Sequence, residues 1–579
     1  MPKEKVLKIK IDGQEYSGAE GKTIMDVALA NNIFIPTLCD HPDFSVKANC
    51  RICVVEIKGR KNLTTSCSTK IEDKMEVLTS SDRVRRARNT NLELIFAEHI
   101  EKCATCVWRF ECKLLKYAER YKLHLTRFKD RKGGRKVHKF ANAVEIDGSQ
   151  CIDCRNCLDA CSKLQNISYL ELRGKGINQE IVPSQDKKKH CILCGQCAVH
   201  CPVSSAQEQM HWEMVEALLK EKNKIMVAQF APSIRVSIGE DFGLPYGKIV
   251  TDQISAGLRA LGFTYVFDVN FSADVTTIVE ANELIERLKE NKNLPMFTSC
   301  CPGWINYIEH YHPELIPNIT DSRSPQIHLG GIIKTFWANQ KNLNPKNIIT
   351  VSIMPCTAKK YEAARPEMKV NGLFPVDFVL TTREFSFLLK KRNIDLAQLK
   401  PAPADDPLAE HTGAGAIFGA SGGVMESALR TAQYILTTAQ AIDCKKPKGS
   451  CQTKIDFKEV RGLEGVKEAT VTVGEKKLRV AIVNGIGHIE KLLGRLKDFD
   501  YIEVMACPGG CIGGGGQPIP TTKAIREKRL QALYQLDKAL PRRISFENQG
   551  AQKVINWLRA NKKLEKSVLY TKYKKKTKY

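Results

Sequence analysis

The first residues of the chain alternate between apolar and polar side chains. Residues 6–11 show this alternation, which is typical of a strand with one buried face. A turn at Gly13, a second short strand and a helix near Thr23–Asn31 follow. This pattern predicts a small domain built from strands and one helix.

A different pattern begins at about residue 210. Apolar runs at Lys224–Phe230, Thr264–Val269, Ile348–Met354 and Leu478–Val483 are separated by amphipathic segments. Strands that alternate with helices are typical of an α/β architecture, which we therefore expect for the C-terminal half.

Length and composition exclude several classes of protein. At 579 residues the chain is too long for one core, so several domains are expected. No apolar run reaches the roughly 20 residues that span a bilayer, and the N-terminus lacks the apolar core of a secretory signal. We expect a cytoplasmic protein that does not enter a membrane.

The formal net charge of +25 is the usual mark of a nucleic-acid-binding protein. That figure counts every cysteine as neutral, and thiolate ligands would remove much of the excess. No helix-turn-helix or zinc-finger pattern is present. We therefore expect no nucleic-acid partner, and we interpret the basic run Lys574–Lys576 as a solvated tail.

The most informative residue type is cysteine. The chain has 22 cysteines, and fifteen of them precede residue 202, mostly in C-x2-C groups. A disulfide scaffold would be short and secreted, whereas C-x2-C is metal-ligand spacing. The N-terminal third is therefore predicted to bind metal clusters through thiolates.

The first cysteine group follows the predicted N-terminal strands. Cys39, Cys50, Cys53 and Cys67 have the spacing C-x10-C-x2-C-x13-C. Four thiolates on a long loop that returns to a strand suit a 2Fe–2S cluster. The order of elements resembles plant-type ferredoxin domains of the β-grasp class, with a longer first gap. A zinc ribbon is the alternative, although it usually pairs two C-x2-C knuckles and only one is present.

The second group is His99, Cys103, Cys106 and Cys112. Spacing alone leaves a structural zinc site and an iron–sulfur cluster equally open. Its position between two ferredoxin-like segments favours a 4Fe–4S cluster with one imidazole ligand, which would be a second entry point for electrons.

Two C-x2-C-x2-C-x3-C runs follow, typical of bacterial two-cluster ferredoxins, in which the last cysteine of each run crosses to the other cluster. The predicted ligands of one 4Fe–4S cubane are Cys151, Cys154, Cys157 and Cys201, and those of the other are Cys191, Cys194, Cys197 and Cys161. Ser162 stands where a proline often follows the first run.

Three further cysteine motifs lie at the ends of predicted strands in the C-terminal half, where α/β sheets usually place their sites. They are Thr298–Trp304 (TSCCPGW), Met354–Glu362 (MPCTAKKYE) and Met505–Gln517 (MACPGGCIGGGGQ). Together they resemble the three signatures of the iron-only (FeFe) hydrogenases. The resemblance includes the N-terminal cluster domains, in the order of the large clostridial-type enzymes.

The resemblance implies reversible reduction of protons to hydrogen at an H-cluster. Cys301, Cys356, Cys507 and Cys511 match the ligands of its 4Fe–4S cubane. Cys511 would also bridge to a diiron subsite that carries carbon monoxide, cyanide and an azadithiolate-type bridge. Lys359 would donate a charge-assisted hydrogen bond to a cyanide ligand. The remaining positions that match the family's diiron pocket are Ala231, Pro232, Ser233, Gln326, Met354, Phe418 and Met505.

The resemblance also implies a route for protons. Cys300 matches the family's free thiol, which passes protons to and from the diiron site. A buried inert cysteine is the alternative for a lone thiol, but the motif strongly favours the proton role. Glu280, Glu283 and Arg287 share one face of a helix predicted over Val275–Leu288, whereas Glu286 lies off that face. Thr320 stands where the family commonly has serine, which keeps the hydroxyl and adds a methyl group.

We predict a multidomain fold of α/β and α+β parts. The four parts are a plant-type ferredoxin β-grasp domain (1–82), a small His/Cys3 4Fe–4S domain (83–125), a bacterial two-cluster ferredoxin domain (126–209) and a two-lobed α/β catalytic domain (210–579). Residues from about 551 onwards resemble a wrapping segment, with one helix that carries Val554, Ile555 and Leu558.

The predicted cofactors are one 2Fe–2S cluster, three accessory 4Fe–4S clusters and the H-cluster. We expect a monomer that exchanges electrons with ferredoxin or flavodoxin and that requires maturation proteins for its diiron subsite.

The alternatives are an iron–sulfur assembly factor or hydrogen sensor, an electron-transfer subunit like that of NADH dehydrogenase, and a subunit of an electron-bifurcating complex. Assembly factors lack the free thiol and the full third motif, and an electron-transfer subunit would not need Cys300 or Lys359. Cys444 and Cys451 match no motif.

Overall fold

The computed structural model describes residues 5–99, 103–441 and 456–577. Cys444 and Cys451 lie outside the described residues. The α-helices are α1 (Ile24–Ala30), α2 (Asp82–Ala97), α3 (Lys113–Tyr121), α4 (Asn156–Asp159), α5 (Gln196–Val199), α6 (Trp212–Leu218), α7 (Thr251–Leu261), α8 (Val269–Glu290), α9 (Pro302–Tyr311), α10 (Pro325–Ile332), α11 (Ala338–Gln340), α12 (Ala358–Ala363), α13 (Thr382–Lys391), α14 (Gly413–Ile417), α15 (Gly423–Ala441), α16 (Glu490–Leu493), α17 (Lys523–Ala539), α18 (Gln549–Arg559) and α19 (Lys562–Leu569).

The strands are β1 (Val6–Ile11), β2 (Gln14–Ala19), β3 (Val54–Ile57), β4 (Thr64–Thr65), β5 (Met75–Leu78), β6 (Val137–Phe140), β7 (Val144–Asp147), β8 (Leu170–Arg173), β9 (Glu180–Pro183), β10 (Ala206–Glu208), β11 (Ile225–Phe230), β12 (Tyr265–Asp268), β13 (Met296–Phe297), β14 (Ile348–Met354), β15 (Phe378–Thr381), β16 (Val466–Val473), β17 (Lys476–Asn484) and β18 (Tyr501–Met505). None of the described helices is long and apolar enough to cross a membrane.

The N-terminal part is a mixed five-stranded sheet in the order β2-β1-β5-β3-β4. β1 and β2 form the predicted hairpin, and β1 pairs in parallel with β5. Thr23 and Asp26 form a reciprocal capping box that begins α1 where the sequence predicts a helix. Cys39 and Cys50 lie on the long loop between α1 and β3.

The next two parts pack directly on the first. Arg88 of α2 donates to the carbonyl oxygens of Ile52 and Val54, so the second part is fixed beside the cysteine loop of the first. The third part has a three-stranded sheet (β10-β7-β6) and a separate β8–β9 hairpin. Within each of its two cysteine runs, the third cysteine lies on a short helix, α4 or α5, and the fourth lies two residues beyond the end of that helix.

The C-terminal half contains two four-stranded sheets. The first, β12-β11-β14-β15, is entirely parallel, and the second, β13-β18-β17-β16, is parallel except for the β16–β17 hairpin. The three cysteine motifs follow β13, β14 and β18. This is the carboxyl edge at which open α/β sheets place ligands.

Helix α8 is buried along most of its length. It is longer than the predicted segment 275–288, because Asp268 caps its start and Asn291 ends it in a left-handed conformation. Glu280 is fully buried on this helix rather than solvated.

The end of the chain differs from the sequence prediction in two ways. Helix α18 contains the predicted Val554–Leu558 segment, but a second helix, α19, follows it and buries Val568 and Leu569. The basic tail is not solvated throughout, because Lys576 forms an ion pair with the buried Glu309 at 3.1 Å.

Candidate active site and cluster sites

Four cysteines of the three C-terminal motifs lie together. Burial, followed by repulsion from Cys356 and Cys301, raises the pKa of Cys507 and Cys511. Burial and repulsion from Cys301 raise the pKa of Cys356 to about 12. These mutual effects show that the four thiols lie near one another in a space that disfavours their charged forms.

This donor set fits a metal cluster. Four thiols confined without water ionise only if a cation compensates them, and 4Fe–4S clusters are held by four thiolates. No disulfide forms among the cysteines that the structure describes. The backbone N–H of Ala506 already points at Sγ of Cys301 at 3.4 Å, as expected for a donor to a ligating thiolate.

Glycines of the third motif allow a close approach of three segments. A Cβ on Gly515 would lie 2.3 Å from the carbonyl oxygen of Cys194, and one on Gly514 would lie 2.2 Å from that of Pro355. Only glycine fits such contacts. As a result, Sγ of Cys507 lies 3.9 Å from the carbonyl oxygen of Cys194, next to the two-cluster part.

The two ferredoxin-like runs are interleaved. One small cavity, of about 10 Å³, is lined by Cys151, Cys154, Cys157 and Cys201. A second, of about 30 Å³, is lined by Cys191, Cys194, Cys197 and Cys161. Each cavity therefore takes three cysteines from one run and the fourth from the other. Burial is the main cause of the raised pKa of these thiols, so both sets suit thiolate ligation of a cation.

The His99 group surrounds a larger cavity. His99, Cys103, Cys106 and Cys112 line a space of about 190 Å³. Nδ1 of His99 lies 2.8 Å from the carbonyl oxygen of Gln150, so Nδ1 carries the proton and Nε2 keeps its lone pair. Burial lowers the pKa of His99, which keeps the ring neutral as a ligand must be.

The N-terminal cysteines form two close pairs. Sγ of Cys53 lies 3.4 Å from Sγ of Cys67, and the N–H of Cys50 points at Sγ of Cys39 at 3.5 Å. Repulsion from Cys39 contributes to the raised pKa of Cys67, so the two pairs face one site. The arrangement suits four thiolate ligands around a compact cluster.

Cys300 lies beside the four catalytic cysteines but in an apolar wall. It packs with Ala273, Phe418, Val424 and Met505. Burial, followed by repulsion from Glu280, raises the pKa of its thiol well above the usual range. The thiol therefore keeps its proton at rest.

The other predicted pocket residues are buried near this wall. Ala231, Pro232 and Ser233 follow β11, at the same sheet edge as Met354 of β14. The hydroxyl of Ser233 accepts a hydrogen bond from Gln517 at 3.3 Å.

Lys359 is held by an acidic partner that the sequence argument did not use. Its ammonium group donates to Glu362 at 2.7 Å and to the carbonyl oxygen of Cys300 at 3.1 Å. Burial opposes its charge, but attraction to Glu362 outweighs this and raises the pKa of Lys359. Ser324 and Gln326 also donate to Glu362. Lys359 and Glu362 are three positions apart on one helix, and this i, i+3 spacing is the feature of the sequence that indicates the ion pair.

The predicted proton-route residues fall into two groups. Glu283 accepts from Thr320 at 2.5 Å and pairs with Arg287 at 2.6 Å near the surface. Glu280 is not bonded to any of these, and its Oε1 accepts a hydrogen bond from the hydroxyl of Tyr501 at 2.6 Å. Burial raises the pKa of Glu280 to about 8 and also raises that of Glu283. Tyr501 has no motif around it that marks it in the sequence.

Among the described residues, His41, Asp43 and His200 form a further group with metal-ligand side chains, within 4.8 Å of one another. Asp43 is paired with the guanidinium of Arg526 at 3.2 Å, which opposes a cation there. Nδ1 of His200 is bonded to the carbonyl oxygen of Gln196 at 2.8 Å. We interpret this group as packing between the first and third parts of the chain.

Three family profiles match the chain. Residues 224–515 match the iron only hydrogenase large subunit, C-terminal domain. Residues 4–82 match a 2Fe-2S iron-sulfur cluster binding domain. Residues 88–127 match the NADH-ubiquinone oxidoreductase-G iron-sulfur binding region. The matches cover every cysteine of the three C-terminal motifs and the first two cysteine groups.

Individual relatives agree with these profiles. The chain is 41% identical to the NADP-reducing hydrogenase subunit HndD of Solidesulfovibrio fructosivorans, with 94% of each protein covered. It is 38% identical to Iron hydrogenase 1 of Clostridium pasteurianum, over 94% of this chain and 96% of that protein. A solved apo structure of the FeFe-hydrogenase HydA1 from Chlamydomonas reinhardtii is 37% identical, with a TM-score of 0.53, and covers 63% of this chain and 98% of that one. The chain therefore belongs to the iron-only (FeFe) hydrogenase family, oxidoreductases that act on hydrogen, and it carries N-terminal iron–sulfur domains that relay electrons.

Proposed function

We propose that this hydrogenase moves electrons through four accessory clusters and protons through Cys300 and a glutamate relay. The single observation that carries the proposal is the position of Cys300. Its thiol lies beside the four catalytic cysteines, faces the apolar wall and is close enough to Glu280 for the two groups to repel each other when charged.

The proposed cofactors are one 2Fe–2S cluster, three accessory 4Fe–4S clusters and the H-cluster. The cysteine and histidine sets described above supply one ligand group for each. The proposed domain limits are 1–82, 83–125, 126–209 and 210–579. The placement of β10, at Ala206–Glu208 in the sheet of the third part, supports a boundary near residue 209.

Electrostatic repulsion between thiols of neighbouring cysteine groups supports an electron path from the His99 group to the catalytic cysteines. The thiol of Cys112 is close enough to Cys201 for repulsion, and that of Cys157 is close enough to Cys197. Cys194 in turn repels Cys507 of the catalytic set. Electrons from the His99 group would therefore cross both cubanes of the third part before they reach the catalytic site.

When bound, the H-cluster would supply the redox-active metal chemistry for the interconversion of protons, electrons and hydrogen. Cys301, Cys356, Cys507 and Cys511 would hold it. The ammonium group of Lys359, fixed by Glu362, would orient an anionic ligand. The side chains of Phe418, Met354 and Met505 would exclude water from the same space, since all three are buried.

The proposed proton route runs from Cys300 through Glu280 to Glu283 and Arg287. Cys300 holds a proton because burial disfavours its thiolate. Glu280 is fully buried and is close enough to Cys300 for their charged forms to repel each other. The ion pair of Glu283 and Arg287 is partly exposed and supports an exit to the surface. A bridging water or a rotation of Glu280 would join the two glutamates, because they are not hydrogen-bonded to each other.

The proposed electron partner is an acidic ferredoxin or flavodoxin, which the net charge of +25 would attract. The second candidate partners are the other subunits of an NADP-reducing enzyme. They are favoured by the 41% identity of the chain to a subunit of an NADP-reducing hydrogenase. In that case the chain would act within a larger assembly. Two rates of hydrogen production separate the candidates: the rate with reduced ferredoxin, and the rate with NADPH in extracts that contain the partner subunits. A higher rate with ferredoxin favours the first candidate, and a higher rate with NADPH favours the second.

Hydrogen evolution from reduced methyl viologen tests the proposal directly. The chain is loaded with iron, sulfide and a synthetic diiron cofactor, and Cys300→Ala is compared with the wild type. Loss of a proton-transfer group is expected to lower the rate by about 100-fold or more. Cys444→Ala, a cysteine outside every motif, is the matched control and should keep the wild-type rate. A Cys300→Ala variant with full activity would overturn the proton route.

A further inference from the structure

Tyr501 and Glu280 form a buried pair that the sequence motifs do not indicate. Tyr501 is the first residue of β18, the strand that leads to the third cysteine motif. Its hydroxyl donates to Oε1 of Glu280 at 2.6 Å, across 221 positions of the chain. Both side chains are fully buried.

The pair determines which oxygen of Glu280 can carry a proton. A phenol has one hydrogen to donate, and Tyr501 gives it to Oε1. In the neutral carboxyl group Oε1 is then the carbonyl oxygen, and the acid proton lies on Oε2. Within the described part of the chain, Oε2 of Glu280 is buried and has no hydrogen-bond partner.

We propose that Tyr501 is a positioning residue of the proton relay, which holds Glu280 so that its free, proton-bearing oxygen is the one presented to the route. This inference rests on the proposed relay role of Glu280. Tyr501 itself does not carry the proton onward, because its hydroxyl is committed to Glu280 and burial raises its pKa well above the usual range.

Tyr501 also adjusts the proton affinity of Glu280. The charged groups that face Glu280 are Glu283 and Arg287 on its own helix, and Glu503 on β18. The thiol of Cys300 faces it from the motif after β13. Burial raises the pKa of Glu280, whereas the hydrogen bond from Tyr501 stabilises the carboxylate and lowers it. The bond therefore offsets part of the burial effect and keeps the group able to release its proton.

The test uses the full chain with its iron–sulfur clusters, first without the diiron subsite. Infrared spectroscopy follows the C=O stretch of the protonated carboxyl of Glu280 against pH, and Glu280→Gln identifies that band by its loss. In Tyr501→Phe the band should move to higher frequency, because its carbonyl oxygen loses a donor. Its titration midpoint should move to higher pH.

Activity of the diiron-loaded protein provides the second measurement. Tyr501→Phe should lower hydrogen evolution by about tenfold, because the hydrogen bond that stabilises the carboxylate formed when Glu280 releases its proton is lost. Its pH profile should shift in the same direction as the infrared midpoint. Tyr534→Phe is the matched control, since it removes a phenol that donates to another buried glutamate, Glu426, at 3.1 Å. It should move neither the band nor the profile.

A fluorotyrosine at position 501 keeps the side-chain volume and donates more strongly, so it should move the midpoint to lower pH even if Tyr501→Phe loses its clusters. The inference is overturned if both Tyr501 variants leave the band and the midpoint at the wild-type values. Full activity in Glu280→Gln would instead refute the proposed relay, and the infrared result would still report on the pair itself.

Discussion

The hydroxyl of Thr320 donates a hydrogen bond to Oε2 of Glu283 at 2.5 Å, and the same carboxylate pairs with Arg287. Glu283 is thus fixed on both sides at the outer end of the proposed proton route. The extra methyl group of threonine, relative to the family's common serine, does not prevent the contact.

Thr320→Val removes this hydroxyl and keeps the shape of the side chain. Because a hydrogen bond to a charged group contributes about 1.5–3 kcal/mol, hydrogen evolution should fall by about tenfold or more. Thr320→Ser is the control and should remain near the wild-type rate. Equal rates for the Val variant and the wild type would remove Thr320 from the route.

Glu362→Gln tests how Lys359 is held. The ion pair at 2.7 Å is almost fully buried, and loss of one partner leaves an uncompensated ammonium group, at a cost of about 3–5 kcal/mol. The apparent melting temperature of the cluster-loaded chain without its diiron subsite should fall by several degrees. The double variant Lys359→Met/Glu362→Leu should lose less than Glu362→Gln, because it leaves no buried charge. A larger fall in melting temperature for the double variant than for Glu362→Gln would contradict this account of the ion pair.

Glu280→Gln should become more stable relative to the wild type as the pH rises. The folded wild type keeps the Glu280 proton up to about pH 8, whereas the unfolded chain releases it near 4.5. Between these values unfolding releases a proton, so a rise in pH favours the unfolded wild type by about 1.4 kcal/mol per pH unit. Glutamine has no proton to release. Apparent melting temperatures of both proteins across this window measure the effect, and a constant difference would contradict the raised pKa.

His99→Ala should remove one whole cluster. With only three cysteines left around the cavity, we expect about four iron atoms fewer per chain. Iron analysis and electron paramagnetic resonance measure the loss, and His124→Ala, an exposed histidine, is the control. Release of one zinc ion with unchanged iron would show instead that the His99 group is a structural zinc site.

Covalent spacing explains why the candidate cluster ligands can be grouped from the sequence. A C-x2-C group brings two ligands together whatever the fold around it, and the second catalytic motif follows the strand predicted from the apolar run at Ile348–Met354. The bounds of β1 and β14 agree with the predicted segments 6–11 and 348–354 residue for residue.

The partners of the site residues were harder to predict, because they come from distant parts of the chain. Tyr501 meets Glu280 across 221 positions, and Arg383 pairs with the buried Glu208 across 175. No motif or short-range spacing in the sequence indicates either pair. Helix α19 was missed because its short apolar segment at Val568 and Leu569 precedes a basic tail.

The central claim is that protons pass from Cys300 through Glu280 and Glu283. The most direct measurement is hydrogen evolution by the diiron-loaded variants Glu280→Gln and Glu283→Gln, with Glu286→Gln as the matched control on the exposed face of the same helix. The account predicts a loss of about 100-fold or more in the first two and none in the control. Wild-type rates in either relay variant, with full iron content, would contradict it.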